Sequence, residues 1–517
     1  MNIESYLLEY LYRAARWSIW EEFRLIDGQP SKYGDIFSFA NYGAALALLL
    51  VVTMASDFRY RYRLSLTRRD LRRVGYWLSL GVGVAILPTD LWYQNGLPVP
   101  KIFSNPNNLK AALGFTFMAF VLRVVYVAVI HPPSFTKNNA RQFLESTYYR
   151  IHEGNADRIQ IIAEETRPSL PAIVSFAMEK QKREFSQVNS AVTSERDYAR
   201  NFLLLIGDRR FCKIVVDRAP AFALSLFREA QMHQGGGLPI FQFARNVGQE
   251  FVRNTESSFY QEESGFTPGL VGYVRPVTNT IFGSYRFIER CATDGASPLD
   301  TDYRDFSEFN ATQQEGFARA ALAFLQSYMK ETGGRSEPHS YALARMLHSM
   351  ENALSGLYLL NGMENYGAAP AYGRLQATVD FIKDALVLAD KYGTKPGRFR
   401  IREDEKDDIF DKISVLIYET ITAAAAAVSS PEWTAWSIQH NMVWSSIFGL
   451  RHGAAYMIVA HKVRRLIYND IKKMDNFVNF KGARILGYCL HVFGLTLTNQ
   501  RTSFGSEAYP LKMVVLK

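Results

Sequence analysis

Residues 111–130 read AALGFTFMAFVLRVVYVAVI, a run broken by one charge, Arg123. A helix rises about 1.5 Å per residue, so roughly 20 apolar residues match the hydrocarbon core of a bilayer. Lys110 precedes the run and His131-Pro132-Pro133 closes it, which makes its ends sharp. Two upstream stretches have similar length: residues 36–55, containing AALALLLVV, and residues 74–93, containing GYWLSLGVGVAIL. Tyr76, Trp77, Trp92 and Tyr93 stand near the ends of the second, where amphipathic rings suit the headgroup layer, while Pro88 and Asp90 interrupt its outer end. The pattern predicts a mainly α chain with a three-helix transmembrane region over residues 36–131.

The connector between the first two stretches, residues 57–73, holds Arg59, Arg61, Arg63, Arg68, Arg69, Arg72 and Arg73. The next connector has only Lys101 and Lys110. Arginine-rich loops stay in the cytosol. The N-terminus is therefore expected outside and residues 132–517 inside, in a multi-pass protein of the cell (inner or plasma) membrane. Arg-rich segments also suit anionic headgroups, so these seven arginines are candidate lipid-surface contacts. Residues 1–35 carry Glu4 and Glu9 where a signal peptide needs a basic start. They read instead as an outward-facing amphipathic helix, with Trp17 and Trp20 suited to the membrane surface or to packing on the spans.

Arg123 is the intramembrane charge. It faces a neighbouring helix, with Asp90 as partner, or a water-filled path, or it snorkels to the cytosolic headgroups.

The chain has 517 residues, 48% hydrophobic and 21% charged, values of a folded globular protein. Net charge is +9. Residues 132–517 are nearly balanced, which argues against a nucleic-acid partner. Cys212, Cys291 and Cys489 form no CxxC pair, so a reducing compartment is the natural setting.

From residue 134 onward the period is helical, and residues 132–517 read as a large multi-helix cytosolic domain. Residues 235–300 depart from it: GGGLP, SGFTPGLVGYVRP and FGSYRF are rich in Gly, Pro and rings. They read as an irregular or β-containing insertion, with short strands around 272–274 and 281–287. Tyr260, Glu262, Glu263, Arg275 and Arg286 lie within it as candidate pocket residues, since mixed charges and rings on a long loop often line a site. Residues 391–408 (KYGTKPGRFRIREDEKDD) read as an exposed charged loop. Stretches 413–428, 442–460 and 485–498 are apolar but short or interrupted by charge, and read as core helices.

Known catalytic and cofactor patterns do not fit. Gly235-Gly236-Gly237 lacks the Lys-Ser/Thr of a phosphate loop. His348 and Glu351 have the spacing of a di-iron helix, with no second pair to complete it. The cofactor is unknown. Residues 461–484 form a basic amphipathic helix and its sequel, and Lys462, Arg464 and Arg465 join the candidate lipid contacts.

The architecture suits a membrane-anchored sensor, adaptor or effector. Such a protein binds the bilayer and a protein partner, or itself, and relays a change to its spans. Two other classes fit the same outline: a membrane-bound enzyme with a pocket in 235–300, and an oligomeric pore-forming effector.

Overall fold

The structure, a computed structural model, describes residues 25–27, 42–43, 46, 57–67, 71–95, 97–100, 106–179, 194–233, 237–264, 275–301, 308–333, 340–392, 408–428, 432–449, 453–474 and 480–494. The chain divides into two compact units: Met1–Ile173 with Asn189–Ala199, and Val174–Val188 with Arg200–Lys517. The fold is mainly helical.

The first unit contains β1 (Leu25–Asp27), α1 (Phe58–Ser65), α2 (Leu71–Gln94), β2 (Pro98–Pro100), α3 (Pro106–Val125), α4 (Ala140–His152) and α5 (Ala156–Thr166). The two short strands pair antiparallel, Ile26 opposite Val99. A π-helical turn, Tyr126–Ile130, extends α3. Small residues let the apolar helices approach closely. A Cβ at Gly75 would stand 2.8 Å from the Phe120 ring, and one at Gly83 would stand 2.8 Å from Tyr42. Tyr42, Val82, Ile86 and Phe117 form a buried cluster there, with Leu46, Leu78, Leu113 and Val121 packed on it.

Among the described residues, one helix, Asn108–Ile130, is long and apolar enough to cross a membrane, with mean hydropathy 2.2. The expected second span is helical throughout, but its apolar part runs only Arg73–Ile86 before Pro88 interrupts it. The expected first span lies outside the described residues except for helical Tyr42, Gly43 and Leu46; of the expected N-terminal helix within 1–35 only Leu25–Asp27 is described, and it is strand β1, not helix, because it pairs with β2.

The border helices are α6 (Leu170–Met178) and α7 (Glu195–Leu205). The second unit continues with α8 (Arg209–Arg218), α9 (Pro220–Met232), α10 (Phe241–Arg253), α11 (Ser258–Ser264), α12 (Pro276–Phe282), α13 (Tyr285–Asp294), α14 (Ala311–Thr332), α15 (Tyr341–Ala353) and α16 (Pro370–Lys391). It ends with α17 (Ile409–Ala424), α18 (Glu432–Trp436), α19 (Ser446–Phe448), α20 (Ala454–Lys473) and α21 (Phe480–Phe493). A π-helical run, Ser437–Ser445, joins α18 to α19. α14 packs along α16, and α17 packs along α20.

Helix ends leave orphan donors and acceptors that the sequence must satisfy. Asn310 and Gln313 form a capping box on α14, and Asp408 and Asp411 form one on α17. Gly333 ends α14 at φ +64°, a left-handed conformation that favours glycine. The buried Arg374 donates to three carbonyls, Ala353 O at 3.0 Å, Phe309 O at 3.2 Å and Ser355 O at 3.2 Å.

Segment 235–300 corrects the sequence-based expectation. Its described residues hold four helices, α10 to α13, and 281–287 is the end of one helix and the start of the next. The expected strand at 272–274 lies outside the described residues. The Pro and Gly residues punctuate short helices: Pro276 opens α12, Gly283 follows its end, and Gly295 follows α13. The same rule places Pro220 at the start of α9, directly after α8, because a proline is tolerated in a first turn and not mid-helix. Most of 391–408 lies outside the described residues; Lys391 ends α16, and the buried Asp408 caps α17.

Candidate functional site

Two constellations stand out, one in each unit. The first gathers on α1. Its last carbonyls need donors, and α4 supplies them: Asn139 Nδ2 donates to Leu66 O at 3.1 Å, and Ser146 Oγ donates to Ser65 O at 3.1 Å. Tyr62, fully buried, hydrogen-bonds Thr147 at 2.9 Å. The Arg150 guanidinium lies 5.0 Å from the Phe58 ring and 5.5 Å from the Tyr62 ring.

Arg63 then ties α1 to two other elements. Its Nε and Nη2 donate to both oxygens of Glu165 on α5, at 2.6 and 2.9 Å. Its Nη1 donates to Ala128 O, in the π-helical turn, at 2.7 Å. A planar guanidinium suits this forked geometry, and the pair is largely out of water, with Arg63 14% and Glu165 6% exposed. The carboxylate beside it holds the Arg63 guanidinium further above its ordinary range. Arg59 pairs with Glu164. Of the four arginines whose side chains are described, Arg59 and Arg63 thus face carboxylates. Arg61 is half-buried and Arg73 is exposed; Arg68 and Arg69, with the side chain of Arg72, lie outside the described residues.

Arg123 lies on an exposed side of α3, its guanidinium 5.8 Å from the Tyr126 ring one turn onward. The side chain of Asp90 lies outside the described residues.

The candidate pocket residues of the second unit whose side chains are described, Tyr260, Glu262, Arg275 and Arg286, do not gather at one site. Tyr260 donates to Val252 O at 2.7 Å and lies over Gly316. Glu262 caps α12, accepting from Val277 N and, at 3.1 and 2.9 Å, from Thr278 N and Oγ1. Arg286 pairs with Glu331 at 2.7 Å on the surface. The side chain of Glu263 lies outside the described residues. Arg275 lines a groove of about 560 Å³ with Glu315, Arg319, Asp380 and Asp384.

Lys462 is not at a lipid-facing position. It is fully buried on α20 and pairs with Asp411, itself 1% exposed and part of the α17 capping box. Its apolar stem fits the core while its ammonium meets the carboxylate. Arg464 and Arg465 are half-buried on the same helix. His348 is exposed beside Glu351, 3.6 Å away, and among the described residues no group of three ligating side chains gathers for a metal.

The second constellation escaped sequence reasoning. A cavity of about 700 Å³ lies between one face of α21 and the segment running from the end of α17 through α18 into the π-helical run. Buried Ala425, Ala435, Gln439 and Tyr488 form its floor; Val428 and Phe480, 72% and 83% exposed, stand at its rim. The end of α17 again sets the geometry. Its trailing carbonyls, Ala424 O and Ala427 O, accept from Gln439 Nε2 at 3.4 and 2.8 Å. Gln439 Oε1 faces His491 Nδ1 at 2.8 Å, and Tyr488 donates to the Gln439 carbonyl at 2.8 Å. π-helical turns frequently occur at functional sites. No residue spacing announces this cluster, because Gln439 and His491 are 52 residues apart.

No protein-family model matches the chain, and no curated protein matches it. A solved structure of an engineered protein aligns over 79% of this chain and 91% of its own, at 12% identity and a TM-score of 0.21, a likeness too slight to carry an argument.

Proposed function

We propose that the protein is a membrane-anchored sensor or adaptor whose helical domain binds a partner and passes a change to its spans. One observation carries this reading: Asn108–Ile130 has mean hydropathy 2.2, yet only 22% of its most apolar window is buried. Phe115 is 75% exposed, Leu122 62% and Ile130 68%. A helix that is apolar all round needs lipid or protein around it. Tyr42 and Leu46 packed against α2 and α3 support a three-span arrangement in which 36–55 is the first span. The arginine-rich connector supports a cytosolic position for residues 57–73 and 132–517, with the N-terminus outside. Arg63 supplies the relay, since it holds both the end of the apolar helix and α5.

The test is fractionation of cells expressing the full chain. The protein is expected in the membrane pellet and resists alkaline carbonate extraction. Cysteines introduced by Thr67→Cys and Lys101→Cys are expected to be labelled from the cytosolic and the outer side, respectively. Recovery in the soluble fraction overturns the reading. Labelling of both cysteines from one side overturns the topology.

A further inference from the structure

We propose that the cavity beside the π-helical run is a binding site for an amphipathic carboxylate, a carboxyl group on an apolar chain. The hydrogen-bond network fixes the chemistry of its wall. The end of the Gln439 amide that meets two carbonyl oxygens must be the nitrogen, because two acceptors cannot bond each other. Its oxygen therefore faces His491, and Nδ1 of that ring must carry a hydrogen. Nδ1 is thereby committed to the protein. Nε2, on the opposite edge of the ring, has no hydrogen-bond partner among the described residues, and His491 lines the cavity.

Arg484, Gly487 and His491 lie three and four residues apart on α21, so they share one helix face, and all three line the cavity. Arg484 is the charged lining residue, and among the described residues no Asp or Glu accompanies it. The cavity thus favours an anion. A guanidinium binds a carboxylate through paired N–H donors. The second polar group, Nε2, accepts a proton from a carboxylic acid or, in the cationic ring, donates one to a carboxylate. One proton shared between ring and ligand satisfies both partners in either state. Gln439 and Tyr488 also line it with their polar groups bonded within the protein, and the remaining lining is apolar, with Phe480 and Val428 standing out of the rim to cover a chain. The volume suits a small ligand, since such sites span roughly 300–1,000 Å³.

The test titrates octanoate into the full chain in phosphatidylcholine nanodiscs by calorimetry, with empty nanodiscs subtracted and octan-1-ol as the uncharged comparison. Wild type is expected to bind octanoate saturably at one site and octanol about tenfold more weakly. Arg484→Gln weakens octanoate by about tenfold and leaves octanol unchanged. Gly487→Phe blocks both, because a Cβ at Gly487 would meet nothing within 4 Å and the ring would fill the open space. Saturable octanoate binding that survives Gly487→Phe overturns the proposal, as does its absence in wild type. Equal affinity for octanoate and octanol in wild type also overturns it. If Gly487→Phe alters the melting temperature, Arg484→Gln at an exposed position decides alone. The site does not depend on the membrane reading: for a protein recovered in the soluble fraction the same titration runs in buffer.

Discussion

Helices α3 and α17 look alike in composition, yet one exposes its apolar side chains and the other buries them. α3 is apolar on all sides, with Phe115, Met118 and Leu122 facing outward. α17 is nearly as apolar, yet Ile409, Phe410, Ile413, Leu416, Ile417 and Ile421 are all buried within the second unit. The difference lies in what each helix has on its remaining face. α17 carries Glu419, paired with Lys481 at 2.7 Å, and Asp411, paired with Lys462. α3 carries one charge in its apolar run, Arg123, on an exposed side. A charge on a buried helix needs a partner, as Asp411 has in Lys462, whereas a helix that is apolar all round needs protein or lipid around it.

The largest effects fall on the buried side of this comparison. Lys462→Met leaves Asp411 uncompensated in the core and is expected to cost about 3–5 kcal/mol. Phe410→Ala opens a cavity and costs about 3–5 kcal/mol. Both are read from denaturant melts followed by tryptophan fluorescence, since Trp444 is buried against Phe493 in the same unit. A Lys462→Met melt equal to wild type would mean the pair is not buried.

On the exposed apolar side the expectation inverts if α3 spans a membrane as proposed. Leu122→Lys leaves the Trp444 melt unchanged and lowers membrane insertion of residues 108–130 by about 2.5–3.5 kcal/mol in a glycosylation-mapping assay. Insertion as efficient as wild type would break the comparison at its base.

The Arg63–Glu165 pair is expected to be worth about 1.5–3 kcal/mol as a charge-assisted contact. A double-mutant cycle with Arg63→Gln and Glu165→Gln measures it, read by hydrogen exchange of α5 amides. Additive effects would remove Arg63 as the tie between the apolar helix and α5.

The smallest expected effect is none. Burial pushes the Cys291 and Cys489 thiols up to about 12 and that of Cys212 well above its ordinary range. The native protein should resist iodoacetamide at neutral pH, and all three thiols should react once it is unfolded. Labelling of Cys489 in the folded protein would contradict the packing of α21.

What the sequence determined on its own is local. Helical period, the apolar run at 111–130 and the arginines of 57–73 are properties of neighbouring residues, and they are legible without a fold. Proline and glycine are local signals too, but ambiguous ones: Pro276 and Gly283 bound a short helix as readily as a turn between strands, which is why 235–300 read as irregular. Only the tertiary structure decided partners. It set Lys462 against Asp411, Arg63 against Glu165, and Glu262 on the end of α12. It also assembled Gln439 with His491, because the Gln439 amide that reaches Ala427 O just past the end of α17 turns its oxygen to the His491 ring. A helix end creates the demand locally, and the residue that meets it is chosen by packing across the chain.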